Sequence, residues 1–150
     1  MSKLRVAVLR GGPSAEHDVS MRTGQSVIGA LDASSRYVPV DVVVTRGGEW
    51  VIEGFTRKPQ TFLETVDAVF IALHGAYGED GEVQRILTRA GVPYTGSTSY
   101  PSALAMNKIL TKDHLYDLPM KFAPHIRVTA DQSTNLVRVS NRVEELLGSE

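Results

Sequence analysis

An apolar run, Leu4 to Leu9, leads through Arg10 directly into Gly11-Gly12, and a helical pattern follows. That order of buried strand, glycine turn and helix is the opening unit of an α/β sheet, and it constrains the chain more than any other feature. Two adjacent glycines let the backbone turn sharply and come close to a ligand, since no Cβ intervenes. In open α/β sheets ligands bind where strand ends meet helix starts. The segment Gly11-Gly12-Pro13-Ser14-Ala15-Glu16-His17-Asp18-Val19-Ser20 is therefore the first candidate site. Ser14, Glu16, His17, Asp18 and Ser20 also suit a helix N-terminus, so at this level capping and ligand contact both stay open.

The rest of the chain continues the alternation. From Val19 to about Ala33, Gly24, Val27, Ile28 and Leu31 share one helical face. Tyr37 to Val44 reads as a second strand. Arg46-Gly47-Gly48 then turns into a short hairpin arm, Glu49 to Ile52, at the sheet edge. Asp67 to Leu73 is another buried strand, and it ends at His74-Gly75. A helix starting near Asp80 or Gly81 would bury Val83, Ile86, Leu87 and Ala90 and stop at Gly91. Val92 to Thr95 reads as a short strand. Ser99 is placed to cap a helix carrying Ala103, Leu104 and Met106, with helical character continuing to Tyr116.

After Pro119 the pattern changes. Pro124 to Val128 is expected to be a short strand, Thr129 to Asn135 a polar loop, and Val139, Val143, Leu146 and Leu147 one face of a last amphipathic helix. The prediction is an α/β fold, a Rossmann-like parallel sheet with helices on both faces.

Composition narrows the partners. The chain of 150 residues carries a net charge of −1 with both signs interspersed, which predicts no electrostatic nucleic-acid or membrane partner. It has no cysteine, which excludes disulfides, thiolate zinc sites and a cysteine nucleophile and fits a reducing compartment. The first apolar stretch is too short for a signal peptide, and no run reaches the length of a membrane span. The expectation is a cytoplasmic protein.

Two further clusters stand at strand ends. His74-Gly75-Ala76-Tyr77-Gly78-Glu79-Asp80-Gly81 follows the Asp67–Leu73 run. Asp80 is expected to cap the next helix, and Glu79 to favour the same helix N-terminus through the macrodipole. His74 reads either as a hydrogen-bonded strand-end residue or as a ligand contact at the crevice. Pro93-Tyr94-Thr95-Gly96-Ser97 is followed by Ser102-Ala103-Leu104-Ala105-Met106-Asn107-Lys108. Small residues at 102, 103 and 105 permit close packing, and Lys108 by itself reads as a surface lysine.

Together these clusters resemble the D-alanine–D-alanine ligase family. The family's Gly-Gly-x-Ser-x-Glu-His-x-Val-Ser signature runs from Gly11 to Ser20, and its His-Gly-x-x-Gly-Glu-Asp-Gly-x-x-Gln from His74 to Gln84. Its Pro-Tyr-Thr-Gly-Ser spans Pro93 to Ser97, and a Ser-Ala-Leu-Ala-Met-Asp-Lys segment matches Ser102 to Lys108 apart from Asn107. The order and spacing hold from Leu4 to about Val128. Arg85 and Pro101 also depart from the usual pattern, and the Leu118 to Pro124 region lacks a preceding glycine.

The resemblance implies a cytoplasmic ATP-grasp enzyme of peptidoglycan synthesis. Such enzymes use ATP and Mg2+ to phosphorylate the carboxylate of one D-alanine, and the amine of a second then displaces phosphate. Phosphorylation supplies the leaving group that a carboxylate lacks, and cations offset the phosphate charge. By the same resemblance Glu16 holds the ammonium of the first D-alanine, Val19 contacts its methyl group, His74 lies near that site, and Lys108 reaches the ATP phosphates. Gly11, Gly12, Ser14, Gly75 and Gly96 shape the loops. Residues 1–107 would be the N-terminal, pre-ATP-grasp domain and 108–150 an incomplete start of the ATP-grasp domain. The magnesium carboxylates, the other partners of Glu16 and the oxyanion arginine lie in parts this sequence lacks, so the expectation is a truncated chain inactive in ligation on its own. A homodimer through the N-terminal domain is also implied.

The alternative is a stand-alone binding or dimerisation module related to the ligase. A dinucleotide-binding oxidoreductase fits poorly, because the first loop lacks Gly-x-Gly-x-x-Gly, and no Gly-x-x-x-x-Gly-Lys-Ser/Thr run exists. Glu16, His17 and Asp18 are neighbours on a helix start and do not converge on a metal.

Overall fold

Strand β1 (Leu4–Gly11) forms where four consecutive residues, Val6 to Leu9, are buried on both faces at once. That requires cover above and below. The computed structural model describes residues 2–129 and 135–148, so the expected polar loop at 130–134 lies outside the described residues. The chain divides into two units, the first ending at Asn107 and the second beginning at Lys108.

In the first unit β1 runs parallel to β2 (Tyr37–Val44) on one side and to β5 (Ala68–Ile71) on the other. β3 (Trp50–Ile52) pairs antiparallel with β2, and β4 (Phe55–Arg57) pairs antiparallel with β3. The sheet order is β4-β3-β2-β1-β5. The expected hairpin arm is thus a full hairpin with an extra strand. Its turn, Glu53-Gly54, has φ of 52° and 82°, the two left-handed residues of a tight hairpin turn, and Glu-Gly gave no strong turn signal.

Register assigns the faces. Ala7 opposes Val40 and Val69, and Leu9 opposes Val42 and Ile71, so these side chains share one side. There they meet Trp50, α2 (Pro59–Leu63) through Phe62 and Leu63, and α3 (Glu82–Ala90) through Val83 and Leu87. Trp50 and Phe62 meet edge to face at 6.5 Å. Each of these larger side chains contributes roughly 1.5–3 kcal/mol on burial. Val6 and Val8 point to the other side, which helix α1 (His17–Asp32) covers: a Cβ on Gly24 of that helix would stand 2.5 Å from Arg10 Cβ. Helices therefore cover both faces, as the alternation predicts.

Several local expectations are corrected. The Val92–Thr95 strand shrinks to one parallel bridge, Val69 with Tyr94, because Pro93 has no N–H to extend the ladder. On α3, Gln84 is buried and Ala90 exposed, since Gln84 faces the preceding loop. Asp80 is not the N-cap of α3, which is Gly81 at φ 93°; Asp80 sits one residue earlier and accepts from the Glu82 amide at 3.0 Å. Helix α4 (Ser99–Met106) is preceded by Thr98, so Ser99 is its first residue and not its cap. α2 escaped the pattern reading, although Pro59 stands at its first position, where proline suits a helix start.

In the second unit, α5 (Lys108–His114) is a separate helix. Asn107 at φ −101°, ψ 101° breaks the expected continuation from α4. Pro124 to Val128 forms no strand and joins no ladder among the described residues. α6 (Leu136–Leu147) begins at Asn135, whose Oδ1 accepts from the Arg138 amide at 3.1 Å. Val139 and Leu146 are half-buried on the expected face.

Candidate functional site

The strand order reverses at β1: the chain leaves it through α1 for β2 on one side and returns to β5 on the other. The crevice between the C-terminal ends of β1 and β5 is the switch point where such sheets take ligands. Both glycine loops open there.

The first loop is held by its backbone. Gly11 and Gly12 both have positive φ, and the Gly12 amide donates to the Val44 carbonyl at 2.8 Å. A side chain at Gly11 would run into that same carbonyl, at 2.4 Å. His17 uses Nδ1 on the Gly12 carbonyl, at 2.7 Å, so it ties the loop and does not face a ligand through that nitrogen.

Serine hydroxyls then fasten this loop to the β5 end. Ser20 is fully buried; its Oγ accepts from the Gly11 amide and donates to the Ala72 carbonyl, both at 2.8 Å. Ser14 Oγ donates to the His74 carbonyl at 2.7 Å and accepts from the Glu16 amide at 3.1 Å. Neither link depends on a neighbouring position in the sequence.

Glu16 occupies the N-cap position of α1 but makes no side-chain cap. Its carboxylate is exposed and forms no hydrogen bond or ion pair among the described residues. It lies against Gly75, where an added Cβ would be 2.6 Å from Oε2. The adjacent helix N-terminus favours negative charge there. This unpartnered anion at the crevice mouth suits a cationic group.

Val19 is 45% exposed on the first turn of α1, an apolar surface with nothing of its own to cover. His74 is half-buried, and its Nε2 lies 3.0 Å from Thr23 Oγ1. Thr23 Oγ1 in turn donates to the Val19 carbonyl at 3.2 Å. Sequence reasoning missed Thr23, yet its spacing of four from Val19 puts both on one helical face. Glu16, Val19 and His74 are thus brought together by Ser14, Thr23 and Gly75. Lys108 is exposed at the start of α5 in the second unit.

The second loop has its own supports. Glu79 Oε2 accepts from the Gly75 amide and Asp80 Oδ2 from the Tyr77 amide, both at 2.7 Å. Glu79 therefore closes the loop. Tyr77 adopts φ 72°, and its hydroxyl accepts from Trp50 Nε1 at 2.8 Å. Beyond His74 an open cavity of about 370 Å³ continues past Glu79, Gln84, Thr95 and Ser97 to Ser102. Among the described residues no three His, Asp or Glu side chains gather as a metal site.

The sequence model of the family described as D-ala D-ala ligase N-terminus matches residues 5–61 and 53–97. A D-alanine--D-alanine ligase of Chlorobium limicola is 37% identical, over 87% of this chain and 46% of its own length. Among solved structures, the fold is similar to D-alanyl-alanine synthetase A from Vibrio cholerae, with a TM-score of 0.78 and 21% identity over 97% of this chain and 46% of that one. The D-alanine-D-alanine ligase from Coxiella burnetii gives a TM-score of 0.72 at 25% identity, over 96% of this chain and 50% of that one. The chain spans about half the length of the relatives it matches.

Proposed function

Because the chain belongs to the D-alanine–D-alanine ligase N-terminal family, we propose that it serves ATP-dependent joining of two D-alanines by holding the first of them. The observation that carries this reading is the Glu16 carboxylate, unpartnered at the β1/β5 crevice and set against Gly75. An amino acid seated there would place its ammonium on Glu16, a charge-assisted contact. Its methyl group would meet the exposed Val19 side chain, and His74 would border the same space.

In that reaction ATP supplies the phosphoryl group and magnesium offsets its charge. Lys108, exposed at the head of α5, is the phosphate-binding candidate. The described residues offer no magnesium ligands, so no step is assigned to the metal through them. On this reading residues 1–107 are the pre-ATP-grasp domain and 108–150 the opening of the ATP-grasp part. Peptidoglycan synthesis places such an enzyme in the cytoplasm, and no described helix is long and apolar enough to cross a membrane. Pairing of two copies through the first unit belongs to the same proposal.

Thermal unfolding with graded D-alanine or L-alanine tests the reading. A ligand that binds only the folded state raises the midpoint with concentration. D-alanine is expected to do so and L-alanine to do so less. Equal or absent shifts would overturn it.

A further inference from the structure

We propose that Thr23 is a positioning residue: it fixes the neutral His74 ring as the Nε2–H tautomer and leaves Nδ1 as the nitrogen with a free lone pair. A histidine ring can carry its neutral proton on either nitrogen, and the bond made by one nitrogen sets the role of the other. Thr23 Oγ1 has one proton and two neighbours, the Val19 carbonyl at 3.2 Å and His74 Nε2 at 3.0 Å. The Val19 carbonyl can only accept. If Thr23 donates to it, Oγ1 accepts from Nε2–H and both hydrogen bonds form together. If the proton sat on Nδ1, Thr23 would have to choose between Nε2 and Val19. One bond would be lost, and Nδ1–H would find no acceptor among the described residues. One hydrogen bond of difference biases the tautomers by several-fold to about tenfold.

Thr23 accepts equally well from the doubly protonated ring, so its link to Nε2 holds in either charge state and the exchanging proton is the one on Nδ1. The charged groups bordering this corner are Glu16 and Glu79, both at Gly75, while His17 is occupied at the Gly12 carbonyl. The tautomer assignment stands without any ligand; only the statement that Nδ1 faces a bound amino acid rests on the D-alanine reading.

The test is long-range proton–nitrogen NMR on the chain labelled with 15N-histidine, recorded at a pH where His74 is neutral. The parent is expected to show a single Nε2–H pattern for His74. Thr23→Ser should keep it, and Thr23→Val should relax it to the mixed population of a free imidazole. An Nδ1–H or mixed pattern in the parent overturns the proposal, as does a Thr23→Val pattern equal to the parent's. If Thr23→Val does not fold, the parent and Thr23→Ser spectra still decide. D-alanine added to the same sample should move the Nδ1 resonance. An unmoved resonance with the Nε2–H pattern intact counts against the D-alanine reading alone and leaves the tautomer assignment standing.

Discussion

Gly75 lies so close to Glu16 that a Cβ on the glycine would stand 2.6 Å from the carboxylate Oε2 and 3.1 Å from Ser14 Cβ. Two residues nearly sixty positions apart thereby share one small space at the end of β1 and β5. The absent side chain at 75 is what lets the carboxylate sit there.

Gly75→Ala should therefore displace Glu16 as well as strain the backbone, since Gly75 has φ 70°. A left-handed alanine costs roughly 1–2 kcal/mol. Denaturant unfolding is expected to show that loss, and D-alanine binding should weaken further than stability does. Unchanged D-alanine affinity in a folded Gly75→Ala chain would separate the two residues functionally.

Ser20→Ala should be among the costliest single changes at the site. It removes one hydroxyl that serves both the Gly11 amide and the Ala72 carbonyl inside the core. Leaving a buried polar group unsatisfied costs about 1–3 kcal/mol, and two are left here. A loss of ~2 kcal/mol or more in unfolding free energy is expected; a loss under about 0.5 kcal/mol would mean water replaces the hydroxyl.

Tyr77→Phe should leave the Trp50 indole N–H without its acceptor, in a side chain that is almost wholly buried. The expected loss is about 1–3 kcal/mol. Burial raises the Tyr77 phenol above its ordinary range; the bond from Trp50 opposes this, and Glu82 and Asp80 add to it. The folded phenol thus stays neutral at a pH where the unfolded one ionises. Its contribution is complete below about pH 10 and is lost as pH rises through the folded ionisation. Alkaline unfolding of the parent should show this loss, and Tyr77→Phe should lack that part of the pH dependence.

Much of this arrangement was legible in the sequence. β1, β2, β5, α1 and α3 follow from apolar runs and helical spacing, because their side chains are buried by the period that produces the pattern. Glu16 and His74 stand at strand ends, and the glycine loops marked both ends as a crevice. The links that complete the site were not legible. Ser14 to His74 and Thr23 to His74 join positions far apart in the chain, and no local pattern reports a long-range bond. β4 and α2 are too short to develop a period. The strands expected at Val92–Thr95 and Pro124–Val128 have the right composition, but each contains a proline. A strand also needs a ladder partner, which composition does not record.

The most direct test of the account is NMR titration of the chain with D-alanine, beside Glu16→Gln and beside propionate, which lacks the ammonium. The account predicts saturable shifts confined to the amides around Gly12 to Val19 and His74 to Gly75, absent with propionate. Glu16→Gln should weaken them roughly tenfold or more, the worth of a charge-assisted bond. Equal affinity in Glu16→Gln, or equal shifts with propionate, would contradict the assignment of Glu16 as the ammonium anchor.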